Sequence, residues 1–232
     1  MTVYAIGDLH LPAGNDKPMD IFGAHWEHHF ERICDDWLRN VGADDVVLLP
    51  GDISWAMRLA AARQDLDAIG RLPGIKVVTR GNHDYWWNSI SRVREALTGN
   101  TYALQNDAVF IGNALIAGTR GWILPIEGVA DDDKRIFNRE CTRLRLSLEY
   151  ARALDGTAPI VCMLHYPPLT EQFRDNTMTQ ILREFGVSHV VYGHLHGPAL
   201  AGAFRGNDCG VEYHQVSCDG LGFKLHKVCE ID

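Results

Sequence analysis

Short aliphatic runs alternate with segments of helical period along the first half of the chain, and this rhythm constrains the fold more than any other feature. The first three runs are Val3–Ile6, Val46–Leu49 and Lys76–Thr79. Runs of this length and composition are typical of buried strands. Apolar residues recur every three or four positions in 25–41, 59–69 and 90–97, which predicts helices there. The order β-α-β-α-β-α predicts parallel strands joined by right-handed crossovers.

The second half of the chain mixes hairpins with further α/β units. Residues 101–124 carry short β-like runs separated by turn residues, which favours hairpins. The acidic turn at 131–133 is expected to cap a long helix. Later predicted elements are a strand at 160–164, a helix at 177–186, a strand at 189–192 and antiparallel strands at 211–216 and 221–228. With no repeat and no long linker, we predict one α/β domain over residues 1–232.

Charge and composition narrow the range of partners and compartments. The net charge of −8 argues against a long nucleic acid as partner. No run of about 18 apolar residues predicts a membrane span, and the N-terminus lacks the pattern of a signal peptide. The six cysteines show no metal-binding spacing and are expected to be free thiols, which favours a reducing, cytoplasmic location. The oligomeric state is left open.

Polar residues with metal-binding or acid–base chemistry follow five of the predicted strands. These clusters are Asp8-Leu9-His10, Gly51-Asp52, Gly81-Asn82-His83-Asp84, His165 and Gly193-His194-Leu195-His196. Each cluster alone has a structural explanation, such as a turn, a helix cap or a buried histidine. The carboxyl ends of strands line the ligand crevice of an open α/β sheet, so five clusters in this position predict a metal site.

The number of candidate ligands favours two metal ions over one. Seven side chains offer nitrogen or oxygen donors: Asp8, His10, Asp52, Asn82, His165, His194 and His196. That is too many for one tetrahedral site but suits two ions that share a bridging carboxylate. The mixture of imidazole and oxygen without thiolate suits Mn, Fe, Zn, Co or Ni. Two ions about 3.5–4 Å apart are the usual arrangement for in-line displacement at phosphorus.

In this order, the series D-x-H, G-D, G-N-H-D, H and G-H-x-H resembles the calcineurin-like metallophosphoesterases over residues 8–196. The resemblance implies a four-layer α/β-β/α sandwich of two mixed sheets flanked by helices. It also implies a first metal held by Asp8, His10, Asp52 and His196, and a second held by Asp52, Asn82, His165 and His194. Within the family pattern, His83 matches a catalytic histidine that binds no metal, and Asp84 matches its carboxylate partner.

The same resemblance implies a phosphoesterase mechanism, namely in-line attack by a metal-bridging hydroxide on a small phosphodiester or phosphomonoester. His83 is then expected to stabilise charge on the phosphoryl oxygens and to protonate the leaving oxygen, while Asp84 fixes the tautomer of His83. A diester is narrowly favoured, and a nucleotide-like substrate is one option. Two alternatives stay open: a protein Ser/Thr phosphatase, and a non-catalytic or regulatory binding scaffold on the same fold.

Arg120, Arg58 and Trp86 are candidate substrate contacts. Arg120 has the reach for a substrate phosphate, although a surface ion pair explains it equally well. Arg58 follows the second cluster closely. Trp86 and Trp87 are expected to open the third helix, with one of them supporting the loop and the other bordering the cleft to stack on a flat group.

Other features carry weaker expectations. The loop at 11–24 is either a plain connection or a segment that overhangs the metals. His25, His28 and His29 have a helical spacing that can bind metal, but a helix face is the better interpretation. Three more histidines, His189, His214 and His226, match no ligand position and are expected to be ordinary.

Overall fold

A computed structural model describes residues 1–14 and 19–232 of the chain. Its first half contains β1 (Thr2–Ala5), α1 (His29–Asn40), β2 (Val46–Leu49), α2 (Leu59–Gly70), β3 (Ile75–Val78), α3 (Ile90–Ala96) and β4 (Thr101–Ala103). The second half contains β5 (Ala108–Ile111), β6 (Ala114–Thr119), α4 (Asp131–Leu154), β7 (Ile160–Leu164), α5 (Thr177–Glu184), β8 (Val187–Tyr192), β9 (Gly206–Asp208), β10 (Val211–Gln215) and β11 (His226–Glu230). Short 3-10 helices cover Met19–Phe22, Ala24–Trp26 and Gly197–Gly202.

Two mixed sheets contain all the strands just named. The first has the order β11-β1-β2-β3-β4, and the second has the order β5-β6-β7-β8-β10-β9. Strands β1, β2, β3 and β4 are parallel to one another, as are β6, β7, β8 and β10. The strands β5, β9 and β11 pair antiparallel at the sheet edges. The alternation of strands and helices in the first half of the chain predicted parallel strands, and the first sheet confirms this prediction.

Three separate apolar cores show how the layers stack. One core joins the first sheet to α1, α2 and α3 and contains Trp37, Leu66 and Val93. A second joins the other sheet to α4 and α5. The third contains residues of both sheets, including the fully buried Leu48 on β2 and Val191 on β8. The order helix, sheet, sheet, helix confirms the predicted four-layer sandwich.

Several predicted boundaries differ from the structure for local reasons. The helix predicted over 25–41 begins only at His29, because His28 adopts a left-handed backbone with φ of 51°. Strand β4 extends the first sheet in parallel and forms no hairpin, whereas β5 and β6 do form one. The segment predicted as a strand over 221–228 is a turn until β11 begins at His226.

The acidic residues at 131–133 act differently from the predicted cap. They form the first turn of α4, and the capping position belongs to Ala130, which has no side-chain hydrogen bond. Carboxylates in a first turn are stabilised by the positive end of the helix dipole.

Two expectations about the chain as a whole concern thiols and membranes. All six cysteines are unpaired, as predicted; Cys141, Cys162 and Cys218 are buried, and Cys209 is exposed. Among the described residues, no helix combines the length and apolar character needed to cross a membrane.

Candidate metal centre

The structure brings all seven predicted donors to one edge shared by the two sheets. Segments after β1, β2 and β3 of the first sheet carry Asp8, His10, Asp52 and Asn82; segments after β7 and β8 of the second carry His165, His194 and His196. An isolated β-bridge between Gly7 and Ser217 joins the two sheets beside them. Strand ends that are far apart in sequence thus meet where ligand sites of α/β sheets lie.

Four of the donors form a first group around Asp8. His10 Nε2 lies 3.3 Å from His196 Nε2, and His196 Nε2 lies 3.8 Å from Asp8 Oδ1. Asp52 Oδ2 lies 3.9 Å from His10 Nε2. Donor atoms of Asp8, His10 and His196 all lie within 4.8 Å of one another, a spacing that can hold a metal ion.

The remaining donors form a second group around Asn82. Asn82 Oδ1 lies 2.7 Å from His165 Nε2 and 2.9 Å from His194 Nδ1. Asp52 Oδ2 lies 3.5 Å from His165 Nε2, so Asp52 borders both groups. His165 Nδ1 donates to the carbonyl oxygen of Pro50 at 3.0 Å, because a carbonyl can only accept. The Nε2 lone pair of His165 therefore faces Asn82 and Asp52. Nε2 is thus the ring atom of His165 that can bind a metal ion.

Burial sets the electrostatics of this cluster. Asp8 and Asp52 are 0% and 2% exposed. Burial, together with the nearby Asp52 charge, raises the pKa of Asp8 to about 7, and burial raises the pKa of Asp52. Burial lowers the pKa of His165 and of His194 to about 3, which keeps both imidazoles neutral. The cluster therefore combines closely spaced carboxyl oxygens with the nitrogen lone pairs of neutral imidazoles.

Divalent cations fit this donor set. Among the described residues, no lysine or arginine forms an ion pair with Asp8 or Asp52, so positive charge is missing between two buried carboxylates. Neutral imidazoles and carboxylates are good ligands for transition-metal ions. The donors would supply one ion with Asp8, His10, Asp52 and His196, and another with Asp52, Asn82, His165 and His194.

Four of the seven candidate metal ligands have a left-handed backbone conformation. Asp8, His10, Asp52 and His194 all have positive φ, between 47° and 73°. Left-handed conformations of non-glycine residues are costly and concentrate at functional sites. A Cβ atom at Gly81 would overlap the Asp52 carboxylate, which explains the glycine of the third cluster.

Asp84 has a different role from the predicted one. Its carboxylate is 0% exposed and accepts five N–H hydrogen bonds, from the backbone of Asp52, Ile53, Ser54 and Gly81 and from the indole of Trp86, at 2.8–3.2 Å. Among the described residues, no hydrogen bond joins it to the His83 imidazole. The expectation that Asp84 fixes the His83 tautomer is therefore wrong, because both carboxylate oxygens are occupied by other donors. Asp84 instead fixes the loops that carry Asp52 and Asn82.

His83 stands beside the donors without joining either group. Its backbone N–H donates to Asp52 Oδ1 at 2.8 Å, and its ring lies 4.6 Å from the Trp55 ring. The ring is partly exposed and lines the cleft next to the metal-binding residues. The hydroxyl oxygen of Tyr85 lies 3.5 Å from His83 Nδ1. This position suits a group that acts on a bound ligand.

Asp219 is a residue that the sequence interpretation missed. Its Oδ1 accepts from His196 Nδ1 at 3.0 Å, and its Oδ2 accepts from the backbone N–H of Gly197 at 3.0 Å. Burial alone would lower the pKa of His196, but the bond to Asp219 and the charge of Asp8 outweigh it and raise that pKa. Asp219 follows β10, beyond the last motif, so no spacing signal links it to His196.

A cleft of about 370 Å³ opens over the first group of donors. Its wall combines His10, Asp52, His83, His194 and His196 with apolar side chains, namely Met19, Phe22, Trp26, Trp55 and Pro198. Met19 and Phe22 belong to the predicted loop at 11–24, so the described part of that loop shapes the cleft. Residues 15–18 of the loop lie outside the described residues.

The three predicted substrate contacts lie away from this cleft. Trp86 is 0% exposed and its indole donates to Asp84, so the expectation that Trp86 contacts substrate is corrected: it supports the loop. Trp87 is also buried, donates to Gln105 Oε1 at 2.9 Å and precedes α3 without opening it. Arg120 pairs with Glu140 at 3.7 Å and lines a different pocket. Arg58 is exposed at the start of α2 and is not among the residues that line the cleft.

The weaker histidine candidates lie outside both donor groups, in different environments. His25 lines the cleft, His28 is exposed, and His29 is buried with Nε2 2.9 Å from the carbonyl oxygen of Leu9. Within the described part of the chain, none of them joins a group of three or more possible metal ligands. His189, His214 and His226 form a hydrogen-bonded chain of their own elsewhere, with His214 in the middle.

A family model described as calcineurin-like phosphoesterase matches residues 1–198. A crystal structure of a protein of unknown function from Aquifex aeolicus is similar, with a TM-score of 0.52 at 14% identity over 97% of this chain and 94% of that chain. At that identity the likeness shows the fold alone. No curated protein matches the chain.

Proposed function

The chain belongs to the calcineurin-like phosphoesterase family, and from this premise we propose that it hydrolyses a small phosphodiester or phosphomonoester at a dinuclear metal centre. The observation that carries the proposal is the convergence of seven donors in two groups that share Asp52. Divalent cations bound there supply Lewis-acid stabilisation of phosphoryl oxygens and lower the pKa of water. Mn, Fe, Zn, Co and Ni suit these ligands, and the choice among them is open.

His83 is the proposed acid–base and charge-stabilising residue. It lines the cleft beside Asp52 and His10 yet lies outside both donor groups, so its ring is available to a ligand. An imidazole in this place can donate a hydrogen bond to a phosphoryl oxygen and transfer a proton to the leaving oxygen. Asp84 supports this step indirectly, since it fixes the backbone of both neighbouring loops.

The cleft favours a substrate with a flat or apolar leaving group. Trp26, Trp55 and Phe22 form an aromatic wall next to the first group of donors. Aromatic side chains stack on planar groups such as nucleobases, so a nucleotide-like diester or monoester fits this wall. A cleft of about 370 Å³ suits a small molecule better than the surface of a protein, which places a Ser/Thr phosphatase second. A long nucleic acid and a membrane are not proposed as partners, and a cytoplasmic location is proposed.

Turnover and metal content, measured on the same preparations, test this function. We expect metal-loaded protein to hydrolyse bis(p-nitrophenyl) phosphate or p-nitrophenyl phosphate. His83→Gln should keep its bound metal and lose about 10²–10⁴-fold in kcat, the usual contribution of a general acid–base group. Asp52→Asn should lose both metal and turnover, whereas Asp44→Asn, an exposed aspartate outside the site, should change neither.

Two results would count against the proposal. Full activity in His83→Gln would remove the assigned role of this residue. Failure of metal-saturated wild-type protein to hydrolyse any diester or monoester would favour the alternative of a binding scaffold on the same fold.

A further inference from the structure

A second pocket, of about 380 Å³, lies beside the loops that carry Asn82 and His165. Its basic side chains come from three places: Arg80 follows β3, Arg120 follows β6, and Arg139 and Arg143 lie one turn apart on α4. We call it the arginine pocket. The residues that line it include none of the seven metal donors and none of the residues that line the metal cleft.

The arginine pocket carries positive charge that its own residues do not balance. Four arginines face one carboxylate, that of Glu140, so three positive charges are left over. Glu140 is 0% exposed and already accepts from Arg143 Nη1 at 2.6 Å and from Thr119 Oγ1 at 2.8 Å. Its distance to Arg120 Nη2 is 3.7 Å, too long for a hydrogen bond. In a chain with net charge −8, this concentration of cations is a local exception.

Two of the arginines have buried N–H groups without a partner. Among the described residues, Arg80 Nε and Arg120 Nε are inaccessible to solvent and make no hydrogen bond. A buried donor without an acceptor destabilises the fold, and neighbouring like charges add to the cost. An anionic ligand in the pocket would offset the repulsion among the neighbouring guanidinium charges.

Neutral donors on the pocket wall match the same kind of ligand. The Oε1 atom of Gln105 accepts from Trp87 Nε1 at 2.9 Å, which leaves the amide NH₂ of Gln105 to donate. Asn88 and Asn106 also line the wall. Guanidinium groups with amide donors are the usual recognition elements for phosphate oxygens.

We propose that the arginine pocket binds a phosphate group separately from the metal centre. The two sites are adjacent but distinct: the carbonyl oxygen of Arg120 accepts from the backbone N–H of His165 at 2.9 Å, and Arg80 precedes Asn82 by two residues. The phosphate is either free inorganic phosphate or a second, unreacting phosphate of a substrate that is held at the metals. Binding to the pocket does not depend on the proposed hydrolysis.

Calorimetric titration of inorganic phosphate into the full-length, metal-loaded protein at constant ionic strength tests the site. Arg80→Gln and Arg139→Gln should each weaken phosphate binding at the pocket at least tenfold. Arg139 is exposed and Arg80 has no ion pair among the described residues, so both variants are expected to fold. Arg92→Gln removes the same charge from the exposed surface of α3 and should leave phosphate binding unchanged. Asp52→Asn, which impairs the metal site, should keep the pocket's phosphate binding.

Two outcomes would overturn the proposal. Phosphate binding by Arg80→Gln and Arg139→Gln that is as tight as binding by Arg92→Gln would show that the pocket holds no anion. Loss of all phosphate binding in Asp52→Asn would show that the metals alone bind it. The titration needs no turnover, so an inactive enzyme, which would contradict the proposed function, leaves this test intact.

Kinetics then separate the two sources of phosphate. If the pocket holds a second phosphate of the substrate, Arg80→Gln should raise KM at least tenfold for adenosine 3′,5′-bisphosphate while sparing KM for p-nitrophenyl phosphate. If the pocket holds free phosphate, both KM values should stay unchanged and inhibition by inorganic phosphate should change. Either result is compatible with the site and identifies its ligand.

Discussion

At the residue scale, Asp84 and Asp219 are two carboxylates outside the donor set that hold candidate metal ligands in position. Asp84 accepts five N–H groups from two loops, and Asp219 accepts from a single imidazole and one backbone N–H. The first fixes the backbone around Asp52, and the second fixes the ring of His196. Each role can be tested by an isosteric change from Asp to Asn.

We predict that Asp84→Asn lowers the free energy of unfolding by roughly 2–4 kcal/mol, because an amide NH₂ would face N–H donors where a carboxylate accepted them. Urea denaturation at pH 8 measures this; burial and the Asp52 charge raise the pKa of Asp84 to about 7, so the carboxylate is ionised there. Metal content should fall as well, since the Asp52 loop loses its support. Unchanged stability with lower turnover would instead support the tautomer role that the sequence suggested.

Asp219→Asn should weaken metal binding at the first group about 10–100-fold, the usual effect of removing a hydrogen-bond partner from a ligating histidine. The amide has only one acceptor oxygen for the two N–H donors that Asp219 now accepts from, His196 Nδ1 and Gly197 N, so its NH₂ would face the other donor and disturb the orientation of His196. Titration with Mn²⁺, followed by electron paramagnetic resonance, measures the affinity without turnover. Wild-type affinity in this variant would remove Asp219 from the site.

At the scale of elements, His214 links three strands through a chain of imidazoles. His214 Nε2 lies 3.2 Å from His189 Nδ1 on β8, and His214 Nδ1 lies 2.9 Å from His226 Nε2 on β11. Strand β8 belongs to the second sheet and β11 to the first, so the three hydrogen-bonded imidazoles connect the two sheets. Burial, followed by the charges of His226 and His189, lowers the pKa of His214 to about 4.

This shift predicts a pH-dependent contribution to stability. Between the usual pKa of 6.5 and the folded value of about 4, the unfolded chain binds a proton at His214 that the folded chain does not. Wild-type protein should therefore lose stability as pH falls through this window, and His214→Gln should lose less. Denaturant midpoints for both proteins, measured under the same metal conditions, give the comparison. If the denaturant midpoints of the two proteins fell equally steeply with pH, the prediction would be contradicted.

The elements that sequence predicted poorly are those whose position depends on distant partners. β4 has the short length of a hairpin strand, yet it pairs in parallel with β3 through Val78 and Ala103. Residues 221–225 are apolar enough for a strand but form a turn before β11 pairs with β1. Periodicity reports which face is buried and does not report the neighbouring strand.

At the scale of the whole molecule, the sequence anticipated the donor set but not the network around it. The seven donors follow strand ends in a recognisable order, so their convergence could be predicted. The role of Asp84 could not, since its neighbour in sequence is His83 while its hydrogen-bond partners lie around positions 52 and 81. The arginine pocket joins positions 80, 120 and 139, which share no motif.

The two sheets meet at the proposed metal centre, so metal binding should stabilise the whole fold. The first sheet supplies Asp8 and Asn82, and the second supplies His165 and His194. At a free metal concentration 100 times Kd, each bound ion adds about 2.7 kcal/mol to the free energy of unfolding.

The most direct measurement titrates Mn²⁺ into metal-depleted protein while turnover of bis(p-nitrophenyl) phosphate, bound metal per chain and Tm are followed together. We expect turnover and Tm to rise in parallel and to level off at two ions per chain. Turnover that is unchanged after metal removal, or no turnover of any phosphoester with both ions bound, would contradict a dinuclear metal-dependent phosphoesterase.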